Sequence, residues 1–349
     1  MNALSNTQVI EAIGINKDLV EDLKTVQGKQ FEAKSNEFLT ALVNKIVYQR
    51  VMDMDFTNPF SKYDSFPITY GDTIENIFVQ TIRGKVYDPK ATDPFSIVVP
   101  DVVSHYVSIN YEVQYIITIH DVLIRRAVLN EYGMSNLIER ILKSLRTSME
   151  VDEYLANLIM LNNAELYANS VREQGHDTEF DVLDVSDLGT DTAKSAAVCK
   201  RMIRDYKDML LPSPDNNVAG VLTVSRKSEL LAIIKQSLLV DIDLEYLAGV
   251  YNLDKVELLK SVLEVRDFRV VINDYEGDTI QSSEDGADIG FVILDTNGFD
   301  NHKALEDGGM IYNPKGKYTN HFLNNFMILS FRPDCQAKAY VVQWNQPTP

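Results

Sequence analysis

The sequence is poor in the features that mark several large protein classes. It has only two cysteines, Cys199 and Cys335, far apart in a chain of 349 residues. That number excludes a disulfide framework and fits a reducing compartment. Its 33 lysines and arginines are outnumbered by 51 aspartates and glutamates, which gives a net charge of −18. This balance disfavours a general nucleic-acid-binding surface, because phosphate contacts need clustered lysine and arginine.

Long apolar runs are also missing. The longest, such as residues 230–234, are far too short to span a bilayer. Acidic residues interrupt the first 30 residues, so that no secretory h-region is expected there. We therefore expect no membrane partner. The apolar content is nevertheless 45%, which is ordinary for a globular protein and sufficient for a sizeable core.

Catalytic and ligand-binding motifs are absent from the sequence. It contains no GxGxxG, GxSxG, HExxH or Walker pattern. Three places come nearest to a site: His176-Asp177 in an acidic loop, Cys199 with no histidine nearby in sequence, and a calcium-loop-like run at 274–285. The last lacks the glycine and the glutamate that a calcium loop requires, and we interpret residues 274–278 as a hairpin turn.

The histidines give no further chemistry, since none stands at a metal-ligand spacing. The five are His105, His120, His176, His302 and His321. The sequence thus predicts no catalytic residue, no cofactor-binding residue, no metal ligand and no cofactor. An enzyme of unknown type is kept only as a remote alternative.

What the sequence does contain is one long amphipathic segment, residues 134–169, without glycine or proline. Its apolar residues recur mostly at steps of three and four, which places them on one face of a helix. Ser135 and Asn136 are both able to cap its N-terminus. We predict a helix more than twice the usual length. It is either the core helix of an ordinary domain or a beam that crosses an elongated subunit.

Upstream of this helix the sequence predicts a long β-hairpin. Residues 73–82 are rich in β-branched and aromatic residues, residues 84–104 contain prolines and read as a loop, and residues 107–119 alternate apolar with polar. Such a ribbon cannot bury its apolar face alone. We infer a projecting hairpin that lies across a neighbouring subunit, with Ile109 and Val113 on the contact face. A hairpin packed on its own domain is the alternative.

The remaining chain predicts a polar arm, a helix at 36–52, a short helix at 120–132, and an acidic loop at 171–191. An α/β segment follows, with helices at 193–210, at 225–237 and from Asp243 onwards. Its strands are predicted at 218–225, 261–265, 268–273 and 289–294. Strands at 326–331 and 337–344 end the chain. We expect these last strands to pair near the long helix and so to close a first domain around an inserted second one.

This order of parts resembles the major capsid protein of tailed bacteriophages. Residues 237–252 (Ser-Leu-Leu-Val-Asp-Ile-Asp-Leu-Glu-Tyr-Leu-Ala-Gly-Val-Tyr-Asn) are similar to an axial-domain segment of capsid proteins from small short-tailed phages. Residues 70–75 (Tyr-Gly-Asp-Thr-Ile-Glu) also resemble that group. The resemblance covers nearly the whole chain. It implies the α+β tailed-phage major capsid fold, which herpesvirus capsid floors and encapsulins share.

The resemblance implies a division of the chain into six segments. They are an N-terminal arm (1–34), the N-terminal helix and linker of a peripheral domain (35–65), an extended β-hairpin loop (66–120), the peripheral domain with its spine helix (121–191), an axial α/β domain (192–307), and returning strands of the peripheral domain (308–349).

The resemblance also implies a structural role without enzymatic activity. Pentamers and hexamers would self-assemble into an icosahedral shell that encloses phage double-stranded DNA, in the virion, after assembly in the host bacterial cytoplasm. The arm before Ser35 is too short for a scaffolding segment, so the implied partners are other copies, a separate scaffolding protein and a portal, with no sequence-specific DNA binding. Lys85 and Lys90 lie where a cross-linking lysine would sit, but no catalyst or asparagine partner is identifiable. An encapsulin-like nanocompartment shell is the alternative.

Overall fold

The computed structural model describes residues 55–68, 71–82, 84, 86–87, 97, 99–120, 133–172, 178–241 and 262–345. They fall into two compact units. The larger is built from the described residues of Phe56–Tyr115, Thr147–Gly309 and Phe322–Pro349, and the smaller from Asp55 and those of Ile116–Arg146 and Met310–His321. The predicted arm, the predicted helices at 36–52 and from Asp243, and nearly all of the one predicted at 120–132 lie outside the described residues.

The described chain mixes helices with mainly antiparallel sheets, and the predicted α+β class is confirmed. Its helices are α1 (Gly133–Leu161), α2 (Asp191–Met209) and α3 (Gln236–Asp241), with 3-10 turns at Ser61–Tyr63, Ala164–Leu166 and Thr296–Gly298. Its strands are β1 (Thr73–Val79), β2 (Val102–Ser108), β3 (Tyr111–His120), β4 (Val171–Arg172), β5 (Thr178–Glu179), β6 (Asp181–Asp184), β7 (Leu230–Lys235), β8 (Val262–Val265), β9 (Val271–Asn273), β10 (Thr279–Ser282), β11 (Ile289–Asp295), β12 (His302–Asn313), β13 (Tyr318–Ile328) and β14 (Ala337–Gln343).

A five-stranded sheet with the order β6-β14-β11-β7-β8 forms the core of the larger unit. Its central strand β11 is antiparallel to both β14 and β7, and every one of its residues is buried. Strand β7 is buried at five of its six positions. Strands enclosed on both faces read as continuous apolar runs rather than as alternating ones. The sequences Ile-Gly-Phe-Val-Ile-Leu-Asp of β11 and Leu-Leu-Ala-Ile-Ile-Lys of β7 have this form.

Two helices cover the two faces of this sheet. Because neighbouring strand residues point to opposite faces, the core divides into two clusters. On one face Ile233 and Val292 cluster with Leu158 of α1. On the other face Ile234 and Phe291 cluster with residues of α2 that include Val198 and Met202. The end of α1 and the whole of α2 are thus fixed by contacts with the same pair of strands.

The long predicted helix is present as α1, whose 29 residues end at Leu161, inside the amphipathic segment 134–169. Two asparagines end it. The Asn162 side chain donates to the carbonyls of Phe268 and Ala287, and the Asn163 side chain accepts from the backbone N–H of Glu165 to cap a separate 3-10 turn. Short polar side chains compete with the helix for backbone partners in this way. No described helix combines the length and the apolarity needed to cross a membrane.

The prediction for residues 218–237 is wrong. The predicted helix at 225–237 contains strand β7, and α3 begins only at Gln236. A short apolar run does not distinguish a buried strand from a helix. The predicted strand at 218–225 is irregular, because the buried Asn217 side chain bonds the backbone of Val221 in both directions. Gly220 adds a left-handed backbone with φ of 65°.

The alternating run at 107–119 belongs to two strands and not to one. β1 pairs with β2, which begins inside the predicted loop, whereas β3 lies in a three-stranded sheet with the order β12-β13-β3. Asn110 separates them. Its side chain donates to the carbonyl of Leu329 at 2.7 Å and accepts from the Leu329 N–H at 2.9 Å, and so replaces a pair of ladder bonds. Period-two alternation continues across the break and conceals it.

Both of the last strands lie near the long helix, as predicted, since Ala339 of β14 clusters with Leu158 and Met327 of β13 clusters with Ala156. β14 lies in the core sheet between β11 and β6, while β13 pairs with β3. Other predictions are confirmed: the helix at 193–210 is α2, and the strands at 261–265, 268–273 and 289–294 correspond to β8, β9 and β11. The turn at 274–278 joins β9 to β10, with the N–H of Asp274 bonded to the carbonyl of Asp278 and Gly277 at a φ of 94°.

We predict that Leu158→Ala lowers the free energy of unfolding of the unassembled subunit by about 2–5 kcal/mol, because it opens a cavity between α1 and the sheet. Leu158 is 1% exposed. The matched control is Leu211→Ala, at a leucine that is 62% exposed. Denaturant unfolding of both variants is the measurement. Equal losses in the two would contradict the assignment of this core.

Candidate functional site

The β1–β2 hairpin carries apolar side chains on its exposed face. Side chains alternate between exposed and half-buried along both strands. The exposed face includes Ile77, Val79, Val102 and Tyr106, whose side chains remain 49% to 62% exposed. Val79 and Val102 are direct cross-strand partners. Four large apolar side chains on one face of a two-stranded ribbon form a continuous unburied surface.

The apolar character extends beyond the strands. Between β1 and β2 the described residues include Ile82, Val86, Tyr87, Ile97 and Val99. All are strongly exposed, and Val86 reaches 90%. We call these five residues, together with Ile77, Val79, Val102 and Tyr106, the hairpin surface.

The hairpin surface is what another protein surface would cover. Burying apolar area is worth roughly 25 cal/mol per Å², so each of these side chains represents unrealised stabilisation in the isolated chain. Contiguous exposed apolar patches mark interaction sites in soluble proteins, whereas single exposed apolar residues do not. The hairpin surface therefore indicates an association site.

The hairpin is held in shape by bonds at both of its ends. At one end the N–H of Ile109 donates to the carbonyl of Asp72, and at the other the N–H of Gln80 donates to the carbonyl of Asp101. On the exposed face the Tyr106 hydroxyl donates to the Glu75 carboxylate at 2.6 Å, which raises the pKa of the tyrosine. These bonds fix the shape of the ribbon, but they do not bury its apolar side chains, which remain exposed.

The long helix α1 contributes a buried polar cluster. Glu153 is 1% exposed; its carboxylate accepts from the Asn325 amide at 2.9 Å and lies 3.4 Å from the Lys303 ammonium. Burial raises the pKa of Glu153, and the lysine and the amide oppose that rise. One turn later Asn157 accepts from the Asn301 amide at 2.8 Å. The cluster joins α1 to β12 and β13 within the larger unit.

Two other exposed apolar groups occur among the described residues. One lies on β12, where Met310, Ile311 and Tyr312 are exposed. The other lies on the irregular segment 211–224 and comprises Leu211, Val218, Leu222 and Val224. Both are smaller than the hairpin surface.

Among the described residues, those that came nearest to a catalytic or metal site in the sequence do not form one. His176, Asp177, Lys85 and Lys90 lie outside the described residues. Cys199 is buried in the cluster between α2 and the sheet. The described histidines lie apart from any metal centre, since no group of three metal-ligating side chains converges within the described ranges. Burial raises the pKa of the Cys335 thiol to about 12, which keeps it protonated at neutral pH.

One open depression of about 470 Å³ lies beside the end of α1. Its lining is mostly apolar and amide, with Asn162, Phe180, Val182 and Val341, and its ionisable side chain is Glu179. It holds none of the buried polar cluster described above. The hairpin surface is therefore the stronger candidate for function.

The predicted contact residues are corrected by the structure. Val113 is 8% exposed and clusters with Ala156 of α1 and with Met327, and Ile109 is half-buried. The exposed apolar face lies instead on residues of β1 and β2, where the sequence signal is weak. Ile77, Phe78 and Val79 are three consecutive apolar residues, so apolar side chains point to both faces of β1. This run is the one sequence feature that indicates an apolar exposed face.

Comparison with known proteins gives a consistent family. A family model described as Phi29-like phage major capsid protein matches residues 10–341. The major capsid protein of Streptococcus phage Cp-1 is 25% identical over 312 residues, which are 88% of this chain and 82% of that protein. The major capsid protein of Bacillus phage B103 is 26% identical over 310 residues, again 88% of this chain but only 63% of that protein. The chain thus spans less than two thirds of the Bacillus phage relative.

Solved structures agree at the level of fold. A capsid structure of Staphylococcus phage Andhra matches with a TM-score of 0.66 and 12% identity, covering 86% of this chain and 88% of that chain. A capsid structure of the cyanophage P-SCSP1u matches with a TM-score of 0.55 and 9% identity, covering 87% and 95%. At these identities the likeness shows a shared fold and nothing further.

We predict that Ile77→Asp leaves the subunit folded, because its side chain is 58% exposed, whereas Val113→Asp destabilises it, because a charge would replace a buried side chain. Urea unfolding should show that the free energy of unfolding falls by less than about 1 kcal/mol in Ile77→Asp and by more than about 3 kcal/mol in Val113→Asp. A strongly destabilised Ile77→Asp variant would show that the hairpin surface is not free.

Proposed function

The chain belongs to the family of Phi29-like phage major capsid proteins, and from this premise we propose that it self-assembles, as pentamers and hexamers, into an icosahedral shell around phage double-stranded DNA. It has the tailed-phage major capsid fold. The observation that carries the proposed assembly is the hairpin surface. Other copies of the same chain are the partners that cover it in this proposal.

The physical requirements of a shell support this role. A closed shell is held by many symmetric contacts, each modest in strength, and stable protein interfaces bury about 800 Å² per partner. An extended ribbon with exposed apolar side chains supplies such area without unfolding the body that carries it. Its nine apolar side chains are already exposed before association.

The proposal makes the protein a structural component and not an enzyme. Its relatives with 24% to 26% identity are capsid proteins. We infer that DNA is enclosed without sequence-specific binding, because the chain carries a net charge of −18, which disfavours broad phosphate contact. Its location is the capsid of the virion, and we place assembly in the host bacterial cytoplasm.

The domain assignment is part of the proposal. We take the β1–β2 hairpin, within the predicted 66–120, as the extended loop, α1 as the spine helix of a peripheral domain, and residues 192–307 as the axial domain. Strand β14 pairs with β11, which lies within the proposed axial domain. In this assignment residues 308–349 therefore contribute to both the peripheral and the axial domain. A separate scaffolding protein and a portal complete the proposed partners.

We predict that Ile77→Asp prevents shell assembly, because a carboxylate would be buried without a partner at each copy of the contact. The chain is expressed in bacteria, alone and with the other structural genes of its phage, and particles are counted by sedimentation and negative-stain microscopy. At least a tenfold loss of closed particles is expected.

The matched control is Val224→Asp, which places the same charge at a side chain of similar exposure outside the hairpin surface, 55% against 58%. This variant is expected to assemble. Wild-type protein that stays monomeric even when it is expressed with the other structural genes would overturn the proposal. Closed shells that co-purify with a protein cargo instead of DNA would favour the encapsulin-like alternative.

A further inference from the structure

The root of the hairpin is tied to the start of β12. The segment before the hairpin runs beside residues 301–303, with the N–H of Ser65 bonded to the carbonyl of Asn301 at 2.8 Å and the N–H of Ile68 bonded to the carbonyl of Lys303 at 2.8 Å. Within the hairpin, Asn76 of β1 donates through its side-chain amide to the Asp300 carboxylate. Two separate stretches of chain thus meet residues 300–303.

His302 connects these two stretches. Its Nδ1 lies 2.7 Å from the carbonyl oxygen of Phe66, and its Nε2 lies 2.8 Å from Oδ1 of Asp300, whose other oxygen accepts from Asn76. The Phe66 ring meets the imidazole edge-on, with ring centroids 4.6 Å apart. The His302 side chain is 1% exposed, so water does not substitute for either partner.

The hydrogen-bond partners of His302 determine how many protons the His302–Asp300 pair needs. A neutral imidazole has one N–H, and its other nitrogen is an acceptor. The Phe66 carbonyl and an ionised Asp300 carboxylate accept only. A neutral His302 beside an ionised Asp300 would therefore leave two acceptors facing each other at one of the two contacts. Both contacts become hydrogen bonds only if the pair carries one additional proton, on the ring or on the carboxyl group.

We propose that His302 and Asp300 share this proton and act as a latch that positions the root of the hairpin. With the proton bound, Phe66, His302, Asp300 and Asn76 form one unbroken run of hydrogen bonds. Loss of the proton breaks one of them and loosens the hairpin relative to β12. The importance of this latch for assembly rests on the proposed role of the hairpin surface.

Other ionisable groups surround the pair and influence when the proton leaves. They are Asp64 from the segment before the hairpin, His105 opposite Asn76 on β2, Lys303 with its partner Glu153 of α1, and, after β13, Arg332 with its partner Asp334, and Cys335. Lys303 and Arg332 place positive charge near the pair, whereas Asp64 and Glu153 place carboxyl groups there. His105 Nδ1 is buried without a hydrogen-bond partner in the described part of the chain, and it would add a like charge if protonated.

Two substitutions distinguish a proton-dependent latch from a role of His302 and Asp300 in packing alone. Gln at position 302 can donate at one end of its amide only, so His302→Gln loses one contact at every pH. Asp300→Asn is different, because its amide can donate to Nε2 of a neutral His302 while its oxygen accepts from Asn76. This variant restores every hydrogen bond without the shared proton. It should therefore keep the latch closed and remove its pH dependence.

The test uses the unassembled full chain at about pH 6 and about pH 9. Hydrogen exchange of the β1 amides, corrected for intrinsic exchange rates, measures how well β1 is protected. Histidine-selective NMR measures the protonation of His302. In the wild type we expect protection of β1 to fall by roughly tenfold between these pH values, together with loss of the extra proton. His302→Gln should show the reduced protection of β1 at both pH values. Asp300→Asn should show the high protection of β1 at both pH values. His321→Gln is the control and should behave as wild type.

Each other outcome overturns part of the proposal. If the pair lacks the extra proton at about pH 6, or if Asp300→Asn loosens β1 as much as His302→Gln, the latch is wrong. If His302→Gln does not fold, the comparison of Asp300→Asn with the wild type still decides. Wild-type shells with a confirmed latch but unchanged assembly of His302→Gln would show that the latch does not position the assembly surface. Wild type that never assembles would overturn the proposed function and leave the latch result intact.

Discussion

Burial of the two central strands β7 and β11 between α1 and α2 is the interaction on which the rest of the larger unit depends. β11 leads directly into the turn Thr296–Gly298, where a Cβ on Gly298 would stand 2.1 Å from the Phe331 ring, so this close approach requires glycine. Phe299 then bridges to Phe331, and the N–H of Asp300 donates to the carbonyl of Ser330 at 2.9 Å. The apolar core therefore sets the position of the Asp300–His302 pair, and through it the root of the hairpin.

The hairpin combines a fixed root with an uncovered surface. Its half-buried face provides the polar link through Asn76, while its exposed face carries Ile77, Val79 and their neighbours. Polar links are directional and specify where the ribbon lies, whereas apolar area is not directional and supplies attraction. In the proposed shell, a ribbon with both properties would reach its partner in a defined position, which repeated, identical contacts require.

The sequence predicts the parts of this structure that rest on long patterns and misses those that rest on single side chains. The helix α1 was predictable because its apolar stripe continues over many turns. The bonds that fix its end were not, because the Asn162 side chain donates to the carbonyls of Phe268 and Ala287, which are distant in sequence. Strand β7 was predicted as a helix because a short apolar run fits either element once both faces are buried. The contact face was placed on Val113 because the alternation continues through Asn110, whose bonds to Leu329 divide it.

The two-stranded form of the β1–β2 ribbon has a consequence for how copies would meet in the proposed shell. Within the described residues neither strand has a second neighbour, so the outer N–H and C=O groups of both remain available for a third strand. Such open edges favour indiscriminate aggregation, yet every copy also carries a net charge of −18. Repulsion of this kind acts over a screening distance of about 8 Å at physiological ionic strength, whereas backbone pairing acts only on contact. Ionic strength thus governs how readily copies approach, and edge geometry governs whether they stay.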